Sequence, residues 1–263
     1  MRSERSVQDG GGPVLDTAVL SRYARHGWAA APGFFSPRKL AEIERFTVET
    51  EALPEVSGAH MVYREPSLLD PNARVIQRIE DFCPHHAGFD ALIRGARLQR
   101  AVEQLLGAPA VLFKDKINFK MPGGGGFAAH QDQQAGWSAY APLFVTAMVS
   151  IDAATIDNGC LEIARAPRQT GLIGREWAPL TAEDMSTFAL VPVPTLPGDV
   201  LFFDSYVPHG SKPNLSGSRR RILYLTYNRA SDGDHRARYY ADKRSSFPPD
   251  IDRLPGVEYR FRV

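Results

Sequence analysis

Pro197-Gly198-Asp199-Val200-Leu201-Phe202-Phe203-Asp204-Ser205-Tyr206-Val207-Pro208-His209-Gly210-Ser211 reads as a turn, a short apolar strand and a histidine standing where the strand ends. The same texture runs through the chain beyond Gly107. There, stretches rich in Val, Ile, Phe and Tyr are separated at short intervals by Gly, Pro, Asn and Asp, a pattern that predicts a sandwich or barrel. Strands are expected over 110–121, 144–151, 160–164, 188–195, 200–204 and 220–228. Asp157-Asn158-Gly159 offers a hairpin turn between two of them, because Asn and Gly tolerate the positive φ of a type I′ turn.

Upstream the period changes. Leu15, Val19, Leu20 and Tyr23 recur at helical intervals, and Ser36-Pro37 supplies an N-cap and first-turn proline for a second helix to about residue 52. A third helical stretch is expected over 89–106, interrupted near Gly95, with short strands over 28–34 and 74–79. The fold class expected is therefore mainly β with flanking α-helices. One domain over 15–263 places an N-terminal helical layer against a β-core and follows a frayed tail over 1–14.

Composition narrows the function. Lys and Arg number 31 against 30 Asp and Glu, a net charge of +1, so the chain lacks the long-range positive field of a nucleic-acid or anionic-membrane binder. With 43% hydrophobic and 23% charged residues it has the balance of a folded globular protein. The most apolar window, 141–151, is far shorter than the roughly 20 residues that span a bilayer. Glycines at 10–12 stand where a signal peptide would be apolar. Cys83 and Cys160 are too few for a disulfide framework, which points to a reducing cytoplasm. Cys83, His85 and His86 have no spaced partner pair elsewhere and read as a polar loop. A small-molecule partner is expected, with neither nucleic acid nor membrane; oligomeric state leaves no signal.

The chemistry gathers at three places. His130-Gln131-Asp132 sets an imidazole and a carboxylate two residues apart, which on a strand puts both on one face. Alone, the pair is also what an ordinary polar strand shows. His209, presented at a strand end, is placed to be a third ligand, and two histidines with one carboxylate form the facial triad of non-haem Fe(II) oxygenases. Ser218-Arg219-Arg220-Arg221 then opens the next strand, where one guanidinium can grip the far carboxylate of a dicarboxylate bidentately. Alternation separates Arg220 from Arg219 and Arg221 without saying which parity faces inward. Lys114, Lys116, Asn118 and Lys120 share one strand face, turned either to solvent or towards an anionic ligand. Gln133, Trp137 and Tyr140 follow the His-x-Asp pair and line either the core or a substrate pocket. Gly123 to Gly126, lacking a following Gly-Lys-Ser/Thr, reads as a flexible turn over the site mouth. Arg236, Arg238, Lys243 and Arg244 read as a solvated helix face, and Tyr63, Arg64 and the segment 74–82 as parts of the N-terminal layer that close over the pocket.

Together, His130-Gln131-Asp132, His209 and Arg220 resemble the phytanoyl-CoA dioxygenase family of Fe(II)/2-oxoglutarate oxygenases. The resemblance implies a double-stranded β-helix, or jelly roll. It implies His130, Asp132 and His209 as iron ligands, and Arg220 with Ser211 on the C5 carboxylate of 2-oxoglutarate. The family's Fe(II), 2-oxoglutarate and O2 then hydroxylate a C–H bond and release succinate and CO2. Asp132 speaks against halogenation, because related halogenases carry Gly or Ala there. A narrower resemblance, to the bacterial branch of phosphonate hydroxylases, is carried by segments 116–126, 201–206, 223–228 and 238–244. It brings Lys116 and Asn118 forward as cosubstrate or substrate contacts. Gln133-Gln134-Ala135-Gly136-Trp137 departs from that branch, which leaves substrate identity open between an organophosphonate and an amino acid or natural-product intermediate. A jelly roll that binds a metal or anion without catalysis is the remaining alternative.

Overall fold

The computed structural model describes residues 13–259. Eleven strands form two antiparallel sheets. Those of the larger are β1 (Trp28–Ala31), β2 (Met61–Pro66), β3 (Arg74–Glu80), β4 (Ala110–Lys120), β6 (Val145–Ser150), β9 (Val200–Asp204) and β11 (Arg220–Arg229), ordered β1-β9-β6-β11-β4-β3-β2. The smaller holds β5 (Phe127–His130), β7 (Leu161–Ala164), β8 (Leu190–Val193) and β10 (His209–Ser211), ordered β5-β10-β7-β8. The sheets pack face to face as a jelly roll. Helices α1 (Thr17–His26), α2 (Pro37–Glu51), α3 (Ala87–Ile93) and α4 (Ala96–Leu106) are in the helical layer, and α5 (Arg236–Ser246) follows β11.

Because the large sheet is covered on both faces, its central strands are buried at almost every position. On β9, Leu201 and Phe203 meet Leu161 and Ile163 of the small sheet, while Val200 and Phe202 join the core that includes Ile43, Phe46 and Val102 of the helices. On β11, Ile222 and Tyr224 face the small sheet and Leu223 and Leu225 the helices. β4 obeys the same alternation with a different content. Ile117 and Phe119 lie in the helical-side core, so the opposite parity, Lys114, Lys116, Asn118 and Lys120, turns inward. The register against β11 shifts between Thr226 and Tyr227, skipping Phe113, and this bulge lets Phe113 join an aromatic cluster with Trp137, Phe144 and Tyr239.

The helical layer forms as its local signals require. Asp16 and Ser36 cap α1 and α2 by accepting from the Val19 and Lys39 amides, and the break between α3 and α4 falls at Gly95. Gly27 ends α1 at φ +76°, and an added Cβ there would come within 2.7 Å of Val207, so both backbone and space demand glycine.

Several expectations are corrected. Asp157-Asn158-Gly159 joins β6 to β7, which lie in different sheets, so it is a corner and not a hairpin; the Asn158 side chain closes it by accepting from the Thr155 amide. β2 was not foreseen and extends the large sheet beyond β3. β5 stops at His130, and Asp132 opens a short 3-10 turn instead of continuing the strand. The glycine run is pinned, with Gly123 donating to Asn214 and Gly125 to Glu65. Of the α5 residues expected to be solvated only Arg238 is exposed: Lys243 is buried, Arg236 pairs with Asp81 and Asp115, and Arg244 pairs with Asp81. The expected tail lies outside the described residues except for 13 and 14, and the Val14 amide is bonded to Gln104. Cys83 and Cys160 are unpaired and buried. Among the described residues no helix is long and apolar enough to cross a membrane.

Candidate metal centre and cavity

β5 and β10 are paired, and their register sets His209 directly opposite His130. The two rings stand 4.4 Å apart between centroids. Asp132, thrown forward by the turn after β5, brings its carboxylate to 3.9 Å from His130 Nε2. One ligand atom from each of His130, Asp132 and His209 lies within 4.8 Å of the others. Both imidazoles are oriented in the same way, His130 Nδ1 at 2.8 Å from the Ala128 carbonyl and His209 Nδ1 at 2.9 Å from the Val207 carbonyl. Each Nδ1–H is thereby committed to the backbone, leaving Nε2 as the metal-facing donor. Burial and the neighbouring His209 push His130 down to about 4, so its ring is neutral at pH 7. Two imidazoles that present Nε2 and a carboxylate suit Fe(II), and three ligands leave coordination positions open.

At one end of the inward face of β4 sits a cationic pocket. Arg220, 1% exposed, pairs in register with Lys120, and its Nε and Nη1 have no hydrogen-bond partner. Among the described residues no carboxylate pairs with it: burial pulls its pKa down, with Tyr224 and Cys160 the groups that oppose this. Lys120 Nζ donates to Ser211 Oγ at 2.7 Å and to the Lys212 carbonyl at 2.6 Å, and burial followed by Arg220 pushes it down to about 7. A buried guanidinium without a counter-ion is costly. Its chemistry fits the far carboxylate of a dicarboxylate such as 2-oxoglutarate.

Between metal centre and solvent lies a cavity of about 820 Å³. His130, Asp132, His209, Ser211, Lys116 and Asn118 all line it, and Trp137 and Tyr140 form part of its wall. Gln133 does not; its amide donates inward, to Ser138 Oγ and the Ala141 carbonyl, which corrects its expected role as a substrate contact. Lys116 Nζ lies 4.7 Å from the Tyr224 ring centroid, and burial, then Lys114, push it down to about 7. Cys83, His85 and His86 lie apart from the triad, Cys83 donating to Asp90 and His86 capping α3 through the Phe89 amide.

A second set of lining residues was not singled out one by one in the sequence, although two of them fall in the segment 74–82 expected to close over the pocket. Arg78 and Glu80 reach in from β3, and Tyr239 and Lys243 from α5. Glu80 takes Arg78 Nε at 2.8 Å and Lys243 Nζ at 2.5 Å, with Lys114 Nζ 3.7 Å away. Burial alone would raise the Glu80 carboxyl, but Lys114, Lys243, Arg78 and Lys116 together hold it well below the usual carboxylate range. Four basic side chains thus surround one buried acid. Lys114 and Lys116 had a sequence signal in their shared parity on β4, and Arg78 and Glu80 only as members of the segment 74–82. Pairing of β3 with β4 and the return of α5 bring the rest.

A jelly roll with two imidazoles and a carboxylate converging at one sheet is the architecture of a non-haem iron oxygenase. A family model described as phytanoyl-CoA dioxygenase (PhyH) matches residues 23–222. The chain is 37% identical to a 2-aminoethylphosphonate dioxygenase from an uncultured bacterium, HF130_AEPn_1, over 91% of each sequence. It is 38% identical to a methylphosphonate hydroxylase from Gimesia maris, covering 94% of this chain and 93% of that one. Among solved structures, EctD from S. alaskensis with 2-oxoglutarate and 5-hydroxyectoine shares the fold at a TM-score of 0.70 and 20% identity, over 86% of this chain and 80% of that one. The chain belongs to the phytanoyl-CoA dioxygenase family, and it is a non-haem iron, 2-oxoglutarate-dependent dioxygenase that uses O2.

Proposed function

We propose that this dioxygenase hydroxylates a C–H bond of a small organophosphonate. The observation that carries the reading is the charge of the cavity: Arg78, Lys114, Lys116 and Lys243 line its wall around the single buried acid Glu80. These basic groups, of which burial pushes Lys116 down to about 7, favour a small ligand bearing a phosphonate-type anionic group over one without such a group. The two relatives above, named for phosphonates, support the same class.

In this reading His130 and His209 hold Fe(II) through Nε2 and Asp132 through its carboxylate. Arg220, with Ser211, binds the C5 carboxylate of 2-oxoglutarate, and Lys116 and Asn118 face the bound cosubstrate and substrate. When bound, the iron supplies the oxidising chemistry that couples 2-oxoglutarate decarboxylation to hydroxylation. The protein holds the ligands in one tautomer, fixes the cosubstrate at its far end, and positions the substrate anion against the basic wall. Trp137 and Tyr140 give that wall an apolar flank. Residues 15–263 act as one catalytic domain, a reading supported by the family match across most of that span. A reducing, cytoplasmic setting agrees with both cysteines standing unpaired.

The test is succinate release from aerobic protein with Fe(II), ascorbate and 2-oxoglutarate across phosphonates and amino acids. Stimulation by 2-aminoethylphosphonate or methylphosphonate, with a product heavier by one oxygen, is the expected result. Stimulation by an amino acid alone would overturn the substrate class while leaving the reaction intact.

A further inference from the structure

Among the described residues only two non-glycines hold a left-handed backbone, Asp81 and Trp177. Asp81 has short-side-chain chemistry and two arginine partners to account for it. Trp177 does not: a bulky aromatic at φ +63° is rare, and such outliers persist only where surrounding structure imposes them.

The structure imposing it is the turn that carries Asp132. The Trp177 amide donates to the Gln134 carbonyl at 2.7 Å. Gln134 Nε2 donates to the carbonyls of Arg175 and Ala178, one on each side of Trp177, at 2.7 and 2.8 Å. Gln131 holds the approach to the same loop, accepting from the Ile173 amide at 2.7 Å and donating to the Gly171 carbonyl at 3.0 Å. Both glutamines are 0% exposed, and they bracket Asp132. The indole lies over Gly136, where an added Cβ would come within 2.1 Å of Trp177 Cζ2. From there it lines the cavity near Tyr140 while remaining 49% exposed, so it stands on the boundary between cavity and solvent.

We propose that Trp177 is a specificity-determining residue whose indole, clamped by Gln131 and Gln134 to the turn that presents Asp132, closes the cavity mouth and limits substrate length. The clamp ties Trp177, on the cavity wall, to the same turn as Asp132, so the spacing between indole and metal ligand is set by one short segment. This inference rests on the proposed organophosphonate reading only for the choice of test compounds.

Trp177→Gly removes the indole and suits the left-handed backbone, so the loop keeps its path; Trp177→Phe keeps an aromatic plug. With full-length iron-loaded protein, kcat/KM and succinate formed per hydroxylated product are compared for 2-aminoethylphosphonate and its homologue one methylene longer, 3-aminopropylphosphonate. The expected result for Trp177→Gly is a shift of about tenfold in preference towards the longer compound, the scale of one methylene in an apolar pocket, with more succinate per product. Trp177→Phe stays near the parent on both measures. An unchanged preference and coupling ratio in Trp177→Gly would overturn the proposal. If no phosphonate drives succinate release in the parent enzyme, the substrate reading has failed instead. Trp177 is then judged on 2-oxoglutarate consumption without substrate, which rises in Trp177→Gly if the mouth has been opened to water and reductant and which, if unchanged, overturns the proposal.

Discussion

At the head of β11, Arg220 and Arg221 are adjacent and equally buried at 1% exposure, yet they face opposite layers. Arg221 points to the helical side, where Asp152 grips it through Nε and Nη2 at 2.8 Å each and Glu44 of α2 adds a contact at 3.2 Å. Hydrogen bonding to Asp152 raises its pKa. Arg220 points between the sheets, where no acid meets it and burial lowers its pKa. A buried cation with a built-in partner is architecture, whereas one without a partner is a binding group in waiting. The same contrast divides the inward face of β4. Lys114, at one end, shares Glu80 with Arg78 and Lys243, while Lys120, at the other, hydrogen-bonds Ser211 and backbone carbonyls and forms no ion pair among the described residues, Glu65 and Glu162 opposing the burial and Arg220 that lower its pKa.

The largest effect that would break this contrast concerns the metal, without which the unpaired end has no purpose. His130→Ala abolishes succinate release and lowers iron affinity by more than the roughly 10–100-fold that follows loss of a mere orienting partner. Retained turnover would show that His130, Asp132 and His209 are not the metal centre.

Next come the two arginines. Arg220→Ala raises KM for 2-oxoglutarate about 100-fold, since a bidentate charge-assisted contact contributes about 3 kcal/mol and each 1.4 kcal/mol is tenfold. Arg221→Ala leaves that KM alone and instead destabilises the fold by about 3 kcal/mol, because it removes the nearest partner of Asp152 and leaves it only the longer contact to Arg219. That loss lowers the melting temperature by on the order of 10 °C. Steady-state kinetics and thermal unfolding of both variants check the pair, and swapped phenotypes would refute the assignment.

The smallest effect is a pH dependence. Lys120 titrates near 7 in the unliganded protein, and a dicarboxylate beside it raises that pKa. Below pH 7 the ammonium is already formed and 2-oxoglutarate affinity is flat. Above about pH 7.5 binding must take up a proton, so affinity falls by up to about tenfold per pH unit. Calorimetry under anaerobic conditions, in buffers of different ionisation enthalpy, reads the uptake directly; Arg221→Ala leaves it unchanged.

Much of this was legible in one dimension. The cap at Ser36, the break at Gly95 and the strands after Gly107 follow from nearest-neighbour chemistry, which acts through the local backbone whatever the rest of the chain does. The turn at Asp157-Asn158-Gly159 was misjudged for the complementary reason: turn residues announce a reversal but not which sheet the next strand joins. Lys243 and Arg244 were misjudged because a helix rich in charge looks solvated until Glu80 and Asp81 are set against it. Gln133 and Gln134 were adjacent and indistinguishable in the sequence, and only packing turned one to the Ala141 carbonyl and made the other the clamp on Trp177.

The sequence by itself determined the β-rich class, the His-x-Asp pair with a distant histidine, and a strand face bearing Lys114, Lys116, Asn118 and Lys120, because residue type and spacing two apart are local properties. Only the tertiary structure decided that this face turns inward, that Arg220 and not Arg221 is the unpaired cation, and that Glu80, Lys243 and Trp177 complete the cavity. Those outcomes depend on which charges meet across sheets and helices far apart in the chain. Burial then makes each pairing, or its absence, consequential.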